Sequence, residues 1–311
     1  KNIKYLDSRH LYLNHMDPLE SVVTIFNRQI CNLTEGNENA LGGIVCVWND
    51  RAVANGDDVM IMNPVYPGML AFAERSWRGG GYAGWTATIG EPETERATAF
   101  AEFENRLLDQ KQQYFKGLDF PYVKQADLVW DIYGPYENKG NLSKVFAPES
   151  IKFNALKEKP KYKATGGTLV MKHWWAPLIS GVVEQPQENT TWYAQTQIWS
   201  DEDKQREFWI GFNNLSRSMS TDSPNAGTWN NLKSQVWVNN ELVSPPLWKH
   251  PNQKGNLEIP LIDEGYEFRE PTLISLKKGW NTVKVKLPVA SFKGPNWTNP
   301  VKWMFTFVEV K

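Results

Sequence analysis

The chain has 311 residues, a formal net charge of −1 and 22% charged residues, a balance that argues against a nucleic-acid binder and offers no basic face to an anionic membrane. Its two cysteines, Cys31 and Cys46, form no CxxC pair, which excludes a zinc ribbon and a disulfide scaffold. The four histidines (His10, His15, His173 and His250) lack metal-ligand spacing, and no apolar run is long enough to span a bilayer, so no metal, other cofactor or membrane span is expected.

The opening stretch KNIKYLDSRHLYLNH has neither a charged n-region nor an apolar h-region, and the expectation is a chain that enters in the middle of a domain. Within it, IKYLDS and HLYLNH read as short extended runs. DPLESVVTIFNRQI follows as a helix: Asp17 can cap it, Pro18 suits the first turn and Glu20 sits three residues after the cap. Leu19, Val22, Val23, Phe26 and Ile30 then form one apolar stripe at helical spacing. After the polar loop NLTEGNENA, the continuous apolar run LGGIVCVW has the pattern of a strand buried on both faces, as in a parallel sheet covered by helices. PGMLAFAERSW predicts a second helix, RGGGYAG a flexible connection, and residues 92–115 a longer helix with Phe100, Phe103 and Leu107 on its apolar face. This is β-α-β-α, two units of the kind that builds a (β/α) barrel or a doubly wound sheet. Two units cannot close an eight-unit barrel, so residues 1–117 are expected to be the end of a larger domain.

From about residue 120 the pattern changes to alternating strands separated by Gly, Asn, Asp and Pro turns. DLVWDIYGPY, GTLVMKHWW, TTWYAQTQIW, QREFWIGFN, SQVWVNNELV, PTLISLKKGWNTVKVKLPV and VKWMFTFVEV are rich in β-branched and aromatic residues. Residues 118–311 are therefore expected to form an antiparallel β-sandwich of jelly-roll type. Tryptophan is the compositional outlier at 15 residues, twelve of them in this second part, which suits either filled sandwich cores or sugar-stacking surfaces.

In a (β/α) barrel the carboxyl ends of the strands carry the active site. Two such ends are legible: LYLNHMD, with Tyr12 and Asn14, and CVWND, with Trp48 and Asp50. LGGIVCVWND followed by PGMLAFAERSW resembles the last strand and helix of the family 20 glycoside hydrolases, the β-N-acetylhexosaminidases. Gly42, Gly43, Trp48, Pro67, Ala73, Glu74, Arg75 and Trp77 fall at matching spacings, and Tyr12-Leu13-Asn14 resembles the Tyr-x-Asp that ends the preceding strand in that family. The similarity covers roughly residues 5–115.

The resemblance implies the last two units of a (β/α)8 barrel and a retaining, substrate-assisted hydrolysis in which the acetamido oxygen of the substrate attacks the anomeric carbon. It implies that the Tyr12 hydroxyl orients the acetamide, that Trp48 walls the pocket, and that Asp50 and Asn14 contact sugar hydroxyls. Asp50 and Asn14 stand where the family has Glu and Asp, which bears on the choice among sugars. Glu74 and Arg75, away from the strand tip, are expected to form a partly buried ion pair that seats their helix. The Asp-Glu pair that such catalysis needs is absent from any suitable position: GDDVM at 56–60 and SDED at 200–203 are acidic but follow no apolar barrel strand. The implied partners are an N-acetylhexosamine glycan and a missing N-terminal barrel portion, without which this chain is expected to be inactive. A periplasmic, cell-surface or secreted location is implied in the same way.

VWDIYGPYENKG and SQVWVNNELVSPPLW resemble the galactose-binding-like jelly rolls appended to many glycan-degrading enzymes. Trp174 and Trp175, beside His173, together with Trp229, are candidates for a sugar platform, although alternation places one of Trp174 and Trp175 inward. The expected role of the module is to brace the barrel, since fold likeness alone does not establish a ligand site. The other reading of the chain is a non-catalytic carbohydrate-binding or scaffolding protein. An open barrel edge also predicts that residues 1–117 are stable only when paired with something.

Overall fold

The computed structural model describes residues 3–9, 11–13, 16–48, 55–118, 120–150, 156–212, 223–253, 265–294 and 300–310. It is a β-rich molecule with few helices.

Strand β1 (Tyr5–Asp7) leads through helix α1 (Pro18–Asn27) to strand β2 (Ala40–Gly43). The two strands pair in parallel, and the parallel run continues to a bridge between Tyr12 and Cys46. There the Cys46 N–H donates to Leu11 O at 2.7 Å and the Leu13 N–H to Cys46 O at 3.1 Å. Parallel neighbours require a crossover, which α1 supplies. Its start follows the sequence expectation: the Asp17 carboxylate accepts from the Leu19 and Glu20 N–H groups at 3.0 and 3.1 Å, with Pro18 in the first turn.

Every residue of α1 is buried, which a single apolar stripe does not predict. The stripe packs against the next helices, and the polar face is covered by the second half of the chain, as described below.

A short helix α2 (Asp58–Met62) precedes α3 (Val65–Arg78), the PGMLAFAERSW helix, which packs on α1. Gly68 makes that approach possible, because a Cβ there would meet Leu13 Cδ2 at 3.0 Å and Ser21 Oγ at 3.1 Å. Strand β3 (Trp85–Thr86) and helix α4 (Glu95–Tyr114) follow. Thr94 caps α4 through the Ala97 N–H, and Phe100, Phe103 and Leu107 form its buried face as the periodicity predicts. Phe103 stacks on Phe26 of α1 with ring centroids 4.8 Å apart.

The connection expected to be flexible is instead close-packed. Gly79 has φ +66°, and a Cβ on it would lie 2.5 Å from Thr34 O. At Gly81, with φ +89°, a Cβ would lie 2.7 Å from Arg28 O. The glycines are required because backbone meets backbone in a left-handed conformation.

The remaining strands are β4 (Val129–Glu137), β5 (Tyr162–Thr165), β6 (Thr168–Lys172), β7 (Ile179–Ser180), β8 (Thr190–Ser200), β9 (Lys204–Gly211), β10 (Gln235–Val238), β11 (Glu241–Leu242), β12 (Thr272–Leu276), β13 (Gly279–Val289) and β14 (Trp303–Glu309), with one short helix α5 (Ala147–Ser150) after β4. A six-stranded sheet has the order β11-β10-β13-β8-β4-β5 and a four-stranded sheet the order β12-β9-β14-β6, all pairs antiparallel. One core lies between them, with Trp130, Trp192 and Val285 from the first sheet and Leu169, Phe208 and Phe305 from the second. The inner positions alternate along each strand, so a one-residue slip would turn the apolar set outward. Trp130 is fully buried, and its indole N–H donates to Gly166 O at 3.0 Å. Gly134 at φ +133° lies against the Trp192 ring, where a Cβ would approach to 2.8 Å.

The two parts are joined through the polar face of α1. Glu20 Oε1 and His173 Nε2 lie 3.3 Å apart with neither side chain exposed. The Trp175 N–H donates to His173 Nδ1 at 3.0 Å, which leaves Nε2 as the protonated nitrogen facing Glu20. Tyr266 donates its hydroxyl proton to Asp17 at 2.6 Å, and Gln125 Nε2 donates to Leu19 O at 3.1 Å. β3 pairs in parallel with β7, and Trp209, Tyr266 and Val308 belong to the same apolar cluster as α1, α3 and α4. Buried Glu104 ties down the connection to β4 by accepting from Tyr122 Oη at 2.7 Å and from the Gln125 and Ala126 N–H groups at 2.9 Å. Burial pushes the Glu104 carboxyl up from its ordinary pKa and the Tyr122 and Tyr266 hydroxyls further above theirs. No helix among the described residues is long and apolar enough to cross a membrane.

Candidate functional site

The two strand ends singled out in the sequence come together. The Tyr12–Cys46 bridge places the first beside the second, and the Tyr12 and Trp48 rings meet edge-on with centroids 6.4 Å apart. Beneath them Leu11 and Leu13 are fully buried, so the strand run is anchored while the Trp48 indole stands 55% exposed. Asn14 and Asp50, expected to contact sugar hydroxyls, lie outside the described residues.

The glycine pair ahead of Trp48 has a local cause. Gly42 has φ +132°, a conformation that side chains disfavour. A Cβ on Gly43 would meet both Asp7 O and the Phe72 ring of α3 at 3.0 Å. The strand and its following helix therefore press together at these glycines, and that contact aims the chain toward Trp48.

Asn63 holds the Trp48 backbone and was missed from sequence. It is fully buried; its Oδ1 accepts from the Trp48 N–H at 3.1 Å, and its Nδ2 donates to Val59 O at 2.8 Å. An asparagine in the loop IMNPV carries no periodic signal, so only the tertiary placement identifies it.

The ion pair expected between Glu74 and Arg75 does not form. Glu74 Oε1 accepts from Arg78 at 3.1 Å and from Arg106 of α4 at 2.5 Å. Arg75 points the other way, donating from Nε to Phe26 O at 2.7 Å and from Nη1 to Gly79 O at 2.6 Å, with its guanidinium 4.5 Å from the Phe26 ring centroid. Consecutive residues on a helix diverge by about 100°, so neighbours in sequence address different partners. Burial lowers the Arg75 pKa from its ordinary value. Both side chains thus hold α3 in place, one against α4 and one against α1 and the glycine turn.

The tryptophans proposed as a sugar platform are packed. Trp229 is 4% exposed and donates its indole N–H to Val243 O at 3.1 Å, which removes it as a stacking surface. Trp174 lies on the His173 ring at 3.9 Å, under the Lys302 ammonium at 4.3 Å. It and Trp175 are half-buried against the cluster of Trp85, Val170, Ile179 and Met304 that joins β3 to the sandwich. Alternation in sequence could not foresee this, because the strand ends at Lys172 and the two rings sit in a turn.

Chemically, the strand-end site offers one hydroxyl that can orient a polar group and one indole wall. Among the described residues no group of three or more His, Cys, Asp or Glu side chains is placed to hold a metal ion.

No family model matches the chain, and no curated protein matches it. Among solved structures it is similar to the Se-Met labeled β-glucosidase from Kluyveromyces marxianus, with 14% identity over 59% of this chain and 17% of that one and a TM-score of 0.29. It is also similar to the β-glucuronidase of Ruminococcus gnavus, with 10% identity over 58% of this chain and 27% of that one and a TM-score of 0.25. Both are glycoside hydrolases by name, but at these scores the likeness carries no argument about fold or activity. The chain covers much less than two thirds of either protein.

Proposed function

We propose that this chain is the C-terminal portion of a retaining, substrate-assisted β-N-acetylhexosaminidase that removes terminal N-acetylhexosamine from glycans. In this reading residues 1–117 are the last two units of a (β/α)8 barrel and residues 118–311 a galactose-binding-like jelly roll that braces it. The observation that carries the proposal is the juxtaposition of Tyr12 and Trp48 on neighbouring parallel strand ends, with ring centroids 6.4 Å apart. The Tyr12 hydroxyl holds the acetamide for attack on the anomeric carbon, and the Trp48 ring walls the sugar. Proton transfer to the leaving oxygen falls to an Asp-Glu pair outside this chain, which by itself is inactive.

The test is release of chromophore from N-acetylglucosaminide and N-acetylgalactosaminide by the protein expressed from the full gene. Tyr12→Phe is expected to lower kcat by about 10²-fold, the scale of one lost donor at a developing charge. Trp48→Ala is expected to raise KM. A full-length protein that is inert on both glycosides overturns the reading.

A second reading, a non-catalytic carbohydrate-binding or scaffolding protein, is favoured by one observation: residues 1–117, the part read as barrel, contain no adjacent Asp-Glu pair. A full-length chain that also lacks such a pair, and that binds glycans without cleaving them, would establish it.

A further inference from the structure

A groove of about 1020 Å³ lies away from the Tyr12–Trp48 site, between the end of α4, the connection to β4 and one end of the sandwich. Two tryptophans stand at its edge. Trp199 on β8 and Trp280 on β13 are directly opposed in the antiparallel register and are 53% and 63% exposed. Large apolar rings at this exposure contrast with Trp130, Trp192, Trp229 and Trp303, whose indoles fill the sandwich core. Their ring centroids are 5.4 Å apart with planes at 72°, so the indoles form a corner.

The rest of the groove mixes apolar side chains, among them Phe115, Leu128 and Ile198, with polar ones. Arg206 is fixed by Glu309 at 2.8 Å, and Lys124 is paired with Asp127 at 2.7 Å. Gln197 and Gln112 also line it, and among the described residues neither side-chain amide makes a hydrogen bond. Lys111 and Lys116 also line the wall, which therefore carries a net positive charge, while amide groups remain available as donors and acceptors.

We propose that this groove binds a glycan, with a terminal pyranose seated in the Trp199–Trp280 corner. A pyranose presents a flat patch of C–H groups to one ring face and hydroxyls around its perimeter. A corner accommodates one sugar ring, face against one indole and edge against the other, whereas consecutive sugars along a chain require rings spread along the surface. The free amides of Gln197 and Gln112 match hydroxyl groups. The groove volume is on the scale of a ligand site for several sugar rings. A protein partner or a second copy of this chain is a different occupant, and the experiment separates them.

The test uses the intact 311-residue chain. It is titrated with a panel of neutral oligosaccharides, among them chitotetraose, cellotetraose and mannotetraose, by calorimetry and by NMR of the indole N–H signals. At least one sugar is expected to bind, to shift the Trp199 and Trp280 signals, and to lose tenfold or more in affinity with either Trp199→Ala or Trp280→Ala. Trp77→Ala, at a position 91% exposed on α3, serves as the control and leaves affinity unchanged. Affinity is expected to vary less than twofold between low and high salt. The indole shifts are read on the unsubstituted protein, so they stand even if a variant is poorly folded. No binding across the panel, or binding that both substitutions leave intact, overturns the proposal. So does binding that Trp48→Ala alone abolishes, since that places the sugar at the barrel site. Self-association through this face in sedimentation, lost with Trp280→Ala, assigns it to a second copy instead. Because only binding is measured, loss of the glycosidase reading leaves this result standing, and the reverse holds as well.

Discussion

The sandwich and the β/α part bury their apolar surface by different means. In the sandwich, two sheets close on each other, and Trp130, Trp192 and Phe305 are enclosed by strands of the same half of the chain. In the β/α part, α1, α3 and α4 pack on one another and on Leu13 and Val45, yet Leu6, Leu41, Ile44 and Val47 on or beside β1 and β2 remain 45–55% exposed. What completes the second core is the first: α1 is buried all round because Tyr266, Trp209 and His173 reach across to it. A module with too few strands to close its own sheet can be held by a neighbour that supplies the missing cover. The sandwich in this chain is therefore part of the packing of the β/α part.

Substitutions at four positions test that asymmetry. Trp130→Ala empties the centre of the sandwich and is expected to cost about 4 kcal/mol by chemical denaturation. Both parts should unfold in that single transition. Separate transitions, with the β/α part surviving, would break the comparison.

Glu104→Ala strips the connection between the parts, leaving the Tyr122 hydroxyl and two buried N–H groups without their acceptor, and is expected to cost about 3 kcal/mol. Glu104→Gln keeps one acceptor and costs less. It also isolates a pH effect. Burial holds the Glu104 carboxyl above its ordinary pKa, so proton binding favours the folded chain. That contribution is fully present below the ordinary carboxylate pKa and is lost as pH rises through the raised folded value. Urea titrations at a series of pH values should show the stability difference between native chain and Glu104→Gln moving in that window. A difference that is flat with pH would remove Glu104 as its source.

Tyr266→Phe removes the hydroxyl that bonds Asp17 across the joint, and about 1 kcal/mol should be lost, seen as a lower denaturation midpoint. At the small end, Trp77→Ala is expected to change stability by less than about 0.5 kcal/mol, because the ring makes almost no buried contact. A large loss there would mean that the surface of α3 is covered in solution, by a partner or a second copy.

Much of the local structure was legible. The Asp17-Pro18 start of α1, the Phe100-Phe103-Leu107 face of α4 and the alternating strands of the second half follow from caps and periodicity, which are properties of neighbouring residues. The pairing of the Tyr12 and Trp48 strand ends was legible in order but not in geometry. Asn63 was not legible, since a buried asparagine in a loop has no periodic mark. Glu74 and Arg75 were misread because adjacency in sequence suggested a contact that helix rotation forbids. The sugar-facing candidates Trp174, Trp175 and Trp229 were chosen by residue type, while exposure distinguishes Trp199 and Trp280.

The sequence by itself determined where most helices and strands form and which faces of α1 and α4 are apolar, because these depend on backbone sterics and on spacings of a few residues. LGGIVCVW, expected as a strand buried on both faces, instead forms only the short β2 and leaves Leu41, Ile44, Val47 and Trp48 45–55% exposed. Only the tertiary structure decided that the polar face of α1 is covered, that the glycine triplet is a close-packed turn, and which tryptophans see solvent. Those outcomes depend on contacts between residues a hundred or more positions apart, such as Asp17 with Tyr266 and Glu20 with His173. Burial is set by what the rest of the chain brings to a surface, and no local pattern records it.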